Sequence, residues 1–193
     1  MYSLKHLFYS FLIFSFLSCG EAQQDVAETT KAPVEKGVGY SDSTRQSIAQ
    51  ILQAYYSLKD ALVVADSVKA AAASLILGTT FDSLNLSSVQ QKDTALYAEV
   101  ASLPSIIKTA ALNLNKTNGL EAQREIFETI SDNLYELIKN LKPAGIETYH
   151  QYCPMAFNDK GAYWLSDTTH IQNPYFGKKM LTCGEVSKEL RYQ

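Results

Sequence analysis

Cysteine is scarce in this chain, with three in 193 residues, and so are methionine (three), histidine (three) and tryptophan (one). A disulfide-dense mini-domain is therefore excluded, because such scaffolds need many bridges. Five prolines and nine glycines exclude collagen-like and Pro/Gly low-complexity organisation. There is no excess of positive charge: 17 basic against 20 acidic residues give a net charge of −3. Removing Met1–Ser18 takes away Lys5 and no acid, which makes −4. Nucleic acid is not an expected partner, because phosphate binding wants a basic patch. No apolar run is long enough for a spanning helix; the longest, Leu7–Leu17, has 11 residues. HExxH, GxSxG and Gly-rich phosphate loops are all missing.

The first 18 residues read as a signal peptide: Lys5 is the positive start and LFYSFLIFSFL the apolar stretch. Phe16, Leu17 and Ser18 before Cys19 resemble a bacterial lipobox, in which the cysteine is acylated and becomes the new N-terminus. Phe16 stands where Leu is usual. Cys19 is the expected lipidation site, and two or more acyl chains anchor stably to a membrane surface. The expected location is the bacterial cell envelope, facing periplasm or cell surface. Residues 19–42 are polar, contain Pro33, Gly37 and Gly39, and are expected to form a flexible tether.

Residues 43–193 hold enough apolar material, within an overall 46%, for one domain with a core. The expected fold is mainly α, an antiparallel bundle of about four helices with a small irregular or β C-terminal cap. Ile48, Ile51, Leu52, Tyr55, Leu58 and Leu62 keep three- and four-residue steps. A second run from Ser67 has Val68, Ala71, Ala72, Leu75 and Ile76, and three longer helices result if the first two are continuous. The third run, from Asp93 to Leu114, contains Pro104, which should kink or split it. The fourth, Glu121–Leu141, stops at Lys142-Pro143 and Gly145. Tyr55 and Tyr56 are read as packing residues. Short strands are expected at 148–152 and 180–186.

The rare residues gather in the cassette 146–186. His150, Cys153, Met155, Trp164, His170, Met180 and Cys183 all lie there. Thiolate and thioether donors select Cu(I) or another thiophilic ion, with imidazole as a compatible further donor. The candidate metal ligands are Cys153, Met155, Met180, Cys183 and His150. Export to an oxidising compartment supports a competing reading, a Cys153–Cys183 disulfide. It would close a loop of about 30 residues and contribute roughly 3–4 kcal/mol in the chain-entropy model. The two states can alternate, with metal bound when reduced and the loop locked when oxidised. A third reading makes Cys153 a nucleophile with His150 as base. No orienting acid is evident, so no catalytic residue is assigned and the chain is not read as an enzyme. His170 reads as a loop histidine and Trp164 as a packing anchor.

The phrases CPMAF, GAYWLS and NPYFGKKMLTCGEV resemble a bacterial domain-of-unknown-function family, DUF3347. The resemblance runs from about Ile48 to Val186 and is specific from Tyr152 onward; Tyr55–Ala72 is similar to the family's opening helix. Position by position it falls on Cys153, Pro154, Met155, Gly161, Trp164, Asn173, Pro174, Tyr175, Met180, Cys183 and Gly184. The same module occurs fused to heavy-metal efflux adaptors of the copper and silver type. The resemblance implies association with copper or similar metal handling, with an efflux adaptor as a partner, and no known activity.

Overall fold

A computed structural model describes residues 33–193. The signal sequence, Cys19 and the first part of the tether lie outside the described residues. Helix α1 spans Asp42–Val63 and starts where Ser41 accepts the Thr44 amide at 3.3 Å, a side-chain N-cap. Past its end at Val63, Ala65 with a positive φ of 59° turns the chain before Asp66 caps α2, Ser67–Thr80. The two helices are therefore separate. A short 3₁₀ turn at Phe81–Ser83 leads to α3, Ser87–Lys92, and α4, Thr94–Val100. Neither the turn nor α3 is foreseen by the periodicity, since both are under two turns long.

Helix α5 begins at Leu103, with Pro104 in its first turn. The expected third helix is split there because proline is tolerated in a first turn and not in an interior. Helix α6, Leu120–Leu141, ends at Lys142 in the left-handed conformation. In chain order the long helices pack α1 on α2, α2 on α5 and α5 on α6. The stripe expected on α1 is buried, as are Ile107, Ala111 and Leu114 on α5. So are Phe127, Ile130, Leu134, Leu137, Ile138 and Leu141 on α6. The rings of Tyr55 and Phe127 stack 5.2 Å apart, which makes Tyr55 a packing residue as expected.

Helix α2 departs from expectation. Its buried face is Ala70, Ser74, Leu77 and Gly78, while Val68, Ala72, Leu75 and Ile76 are exposed. The helix is apolar nearly all round, so periodicity could not choose its inner side. Packing chooses it: a Cβ on Gly78 would lie 3.0 Å from the Leu112 side chain, so α5 approaches at the small residues.

The cap is a three-stranded antiparallel sheet in the order β2-β1-β3. Strand β1 is Glu147–Cys153, β2 is Ala162–Ser166 and β3 is Glu185–Arg191. The expected strand at 180–186 thus begins five residues later, at Glu185, and β2 lies where only loop was expected. Hydroxyls join cap to bundle. Tyr56 Oη donates to Thr148 Oγ1 (2.8 Å), which donates to the Ser166 carbonyl (3.0 Å). The Leu165 amide donates to Tyr55 Oη at 3.1 Å.

Residues 33–41 do not behave as tether. Val38 N donates to Lys142 O (2.7 Å), and Ala144 N donates to Val38 O (3.1 Å). Glu35 N donates to Arg191 O (2.9 Å), and Gln193 N donates to Glu35 O (3.1 Å). Tyr40 Oη donates to the Leu141 carbonyl at 2.7 Å. The segment closes over the C-terminal end of α6 and the last residues of the chain, and satisfies backbone groups at both.

Candidate sulfur site in the cap

Successive side chains of a strand point to opposite faces, and β1 sorts the candidate ligands by that rule. Thr148, His150 and Tyr152 share one face, the one from which Thr148 meets Tyr56 and His150 meets Tyr135 of α6. Gln151 and Cys153 share the other. Gln151 Nε2 donates to the Thr168 carbonyl at 2.8 Å, and Cys153 Sγ lies 2.9 Å from Cys183 Sγ. The covering segment on that side is therefore the loop between β2 and β3.

His150 is thus separated from the cysteines. Its ring is stacked between Tyr135, centroids 3.8 Å apart, and Tyr163, 4.5 Å apart. Burial, reinforced by the charges of Lys188 and Lys139, lowers its pKa to about 4. It is a neutral packing ring at pH 7. His170 is exposed and contributes its carbonyl, rather than its ring, as an acceptor for Gln151 Nε2 at 3.4 Å.

Both cysteines are free thiols, Cys153 buried and Cys183 half-buried. The Cys183 thiol is pushed up to about 11. The cause is first its hydrogen bond with Cys153, then burial, then repulsion from a Cys153 thiolate; the Met155 amide pulls the other way. The Cys183 thiol therefore resists losing its proton unless a cation or a covalent bond takes its place.

The Asn-Pro-Tyr-Phe-Gly segment holds Cys183 in position. Asn173 Nδ2 donates to the Cys183 carbonyl at 2.8 Å, and its Oδ1 accepts the amides of Tyr175 (2.8 Å) and Phe176 (3.2 Å). Arg124, buried on α6, donates through Nε to the Pro174 carbonyl at 2.8 Å and through Nη2 to the Leu62 carbonyl at 3.3 Å. One guanidinium therefore ties the loop to two helices. The sequence shows its i,i+3 pairing with Glu121 but gives no sign of this tie, because the two carbonyls it holds are 50 and 62 residues away. Trp164 is fully buried and meets Tyr175 edge-on at 6.0 Å, the packing anchor expected.

Two glycines make room at the sulfur end of the sheet. A Cβ on Gly161, at φ +79°, would lie 2.1 Å from Tyr152 Oη. On Gly184, at φ +141°, it would lie 2.7 Å from the Tyr152 carbonyl oxygen and 2.9 Å from the Trp164 ring.

Met155 and Met180 line one cleft of about 460 Å³, with Phe157, Asp159, Tyr175 and Phe176 around them and Glu121 and Glu125 at its α6 side. Met155 is 46% exposed. The cleft's wall is an unusual left-handed turn: Phe157, Asn158 and Asp159 have φ of 52°, 58° and 66°. Three consecutive non-glycine residues there cost on the order of 1 kcal/mol each. Among the described residues no group of three or more His, Cys, Asp and Glu side chains could hold a metal ion.

The molecule is a small helical-bundle domain with a three-stranded cap that brings two thiols into contact. Residues 51–145 match the family described as Protein of unknown function (DUF3347). The matched span is the helical part and stops before β1, so the sulfur cassette lies beyond it. No curated protein and no solved structure matches the chain.

Proposed function

We propose that the chain is a non-enzymatic, membrane-tethered protein of the bacterial envelope that binds a soft metal ion, Cu(I) foremost, at the sulfur end of its cap. The observation that supports this reading is two pairs of sulfur residues close to each other along the chain. Cys153 and Cys183 touch, and Met155 and Met180, each two or three residues from one of them, line a common cleft. Thiolate and thioether are the donors a monovalent copper ion prefers, and a bound cation would favour the Cys183 thiolate that its neighbour now suppresses. Cys153, Cys183, Met155 and Met180 would hold the ion. His150 is withdrawn from the set, since it occupies the other face of β1. The tether is acylated Cys19, and a heavy-metal efflux adaptor is the proposed recipient of the ion. An N-terminal peptide mass that includes diacylglycerol on Cys19 is the expected outcome; an unmodified Cys19 would remove the anchor from the account.

The second reading is a structural or docking module with a Cys153–Cys183 staple. It is favoured by the complete burial of Cys153 and the 2.9 Å approach of the sulfurs. Competition titration of the reduced protein with Cu(I) against a chelator separates the two. The metal reading predicts tight one-to-one binding, lost in Cys153→Ser and in Cys183→Ser and weakened in Met155→Leu and Met180→Leu. Equal, weak binding by wild type and all variants would leave the staple. Intact mass with and without reductant then shows whether two hydrogens are missing.

A further inference from the structure

The turn that joins α5 to α6, residues 117–119, takes no part in the sulfur site. It contains Asn118-Gly119, and no other asparagine of the chain is followed by glycine; the rest precede Leu, Lys, Asp or Pro. Both residues are exposed. Among the described residues, Asn118 makes no hydrogen bond, ion pair or ring contact, and the Gly119 amide has no acceptor. Asn115, Asn133 and Asn173 instead donate through Nδ2 to the carbonyls of Ala71, Thr129 and Cys183. A Cβ at Gly119 would meet nothing within 4 Å, so the space on that side of the turn is open.

We infer that Asn118 is a self-modifying site, where the chain converts asparagine to aspartate and isoaspartate with water as the co-reactant. The Gly119 backbone nitrogen attacks Asn118 Cγ and forms an N–Cγ bond. The Cγ–Nδ2 bond breaks, and the proton of the Gly119 nitrogen leaves with ammonia. Water then opens the five-membered imide at one of its two carbonyls. Opening at Cγ gives aspartate. Opening at the backbone carbonyl gives isoaspartate, whose main chain runs through Cβ and Cγ. The attacking nitrogen must come close to the preceding side chain, and glycine has no Cβ to obstruct that approach. A nitrogen or a side-chain amide already held in a hydrogen bond would first have to give it up.

The fold gives the two products different consequences. Gln123, buried on α6, holds both sides of the turn. Its Nε2 donates to the Thr117 carbonyl at 3.0 Å, and its backbone amide donates to the Gly119 carbonyl at 3.1 Å. The same Nε2 reaches the Ser67 carbonyl, at the start of α2, at 3.1 Å. Aspartate leaves the main chain between the two carbonyls unchanged. It also sets a negative charge beside the free amides of the first turn of α6, where a negative charge is favourable. Isoaspartate adds one carbon to the main chain between Thr117 and Gly119, so the two carbonyls no longer both meet Gln123. The α5–α6 turn therefore loosens as the protein ages.

Ageing the detergent-purified full chain at mildly alkaline pH, with tryptic mass mapping against an unaged sample, tests the site. The peptide of residues 117–124 should gain the mass difference between an amide and a carboxylic acid. Its isoaspartate should accept a methyl group from an isoaspartyl methyltransferase. No other asparagine-containing peptide should change over the same period. Gly119→Ala should slow the conversion roughly tenfold or more. Alanine is strained at the φ of +92° found there, so Asn118→Gln supplies a second comparison. Its ring must close through one more carbon, and the peptide should stay unconverted. Amide exchange at Gln123 should speed up in the isoaspartyl chain and stay as in wild type in Asn118→Asp. A peptide that stays intact in the folded chain while converting in the urea-unfolded chain would overturn the inference, and so would equal rates in wild type and Gly119→Ala. Unchanged exchange at Gln123 in the isoaspartyl chain would overturn the loosening.

Discussion

His150 is the residue whose position changes the reading of the cap most. It stands three residues before Cys153, and that odd spacing along a strand puts the two on opposite faces. The alternation is legible in the sequence once residues 147–153 are read as a strand, which composition alone does not reveal. Its folded pKa of about 4 lies below the unfolded value of 6.5, so on acidification the unfolded chain takes up the proton first. The stabilisation is therefore complete above pH 6.5 and is lost as pH falls toward 4, by about 3 kcal/mol. His150→Phe should flatten the denaturant midpoint over that window and leave Cu(I) affinity unchanged. A variant that keeps the acid-side slope, or that loses copper, would return His150 to the site. Gly161→Ala tests the sulfur end of the sheet directly. Its methyl group would collide with the Tyr152 ring at a positive φ, and a loss of about 2–4 kcal/mol in urea unfolding is expected.

At the level of elements, residues 33–41 were hidden because nothing local distinguishes them from linker. Their partners are backbone groups at 142–144 and 191–193, about 100 or more residues away. Deleting residues 33–39 should lower stability by about 1–3 kcal/mol. In hydrogen exchange the amides of Ala144 and Gln193 should lose protection, because their acceptors are Val38 and Glu35. Gly145, which donates to Tyr192, should keep its protection. Equal exchange at all three sites before and after deletion would contradict the packed strap. The long helices α1, α5 and α6 were legible for the opposite reason: their apolar stripes are their only routes to burial. Ser41 caps α1 through its side chain, and Ser41→Ala should cost about 1 kcal/mol in thermal unfolding.

Across the whole molecule, the class of fold follows from four periodic runs and a cassette that breaks the periodicity. The β2 strand and the shifted β3 do not, because their partner is β1 and pairing is a non-local choice. Within the cassette of rare residues the chain pairs Cys153 with Cys183 and puts His150 on the other face of β1. The family match covers the helices alone, so the meaning of the cap rests on its own chemistry. That chemistry is a claim about which atoms surround a bound ion. Copper-edge X-ray absorption of the Cu(I)-loaded full chain measures it most directly. A first shell of sulfur alone, with no imidazole scattering and with fewer sulfurs in Met155→Leu/Met180→Leu, is the predicted spectrum. A shell containing imidazole, or a protein that leaves all copper with the chelator, would contradict a sulfur site in the cap.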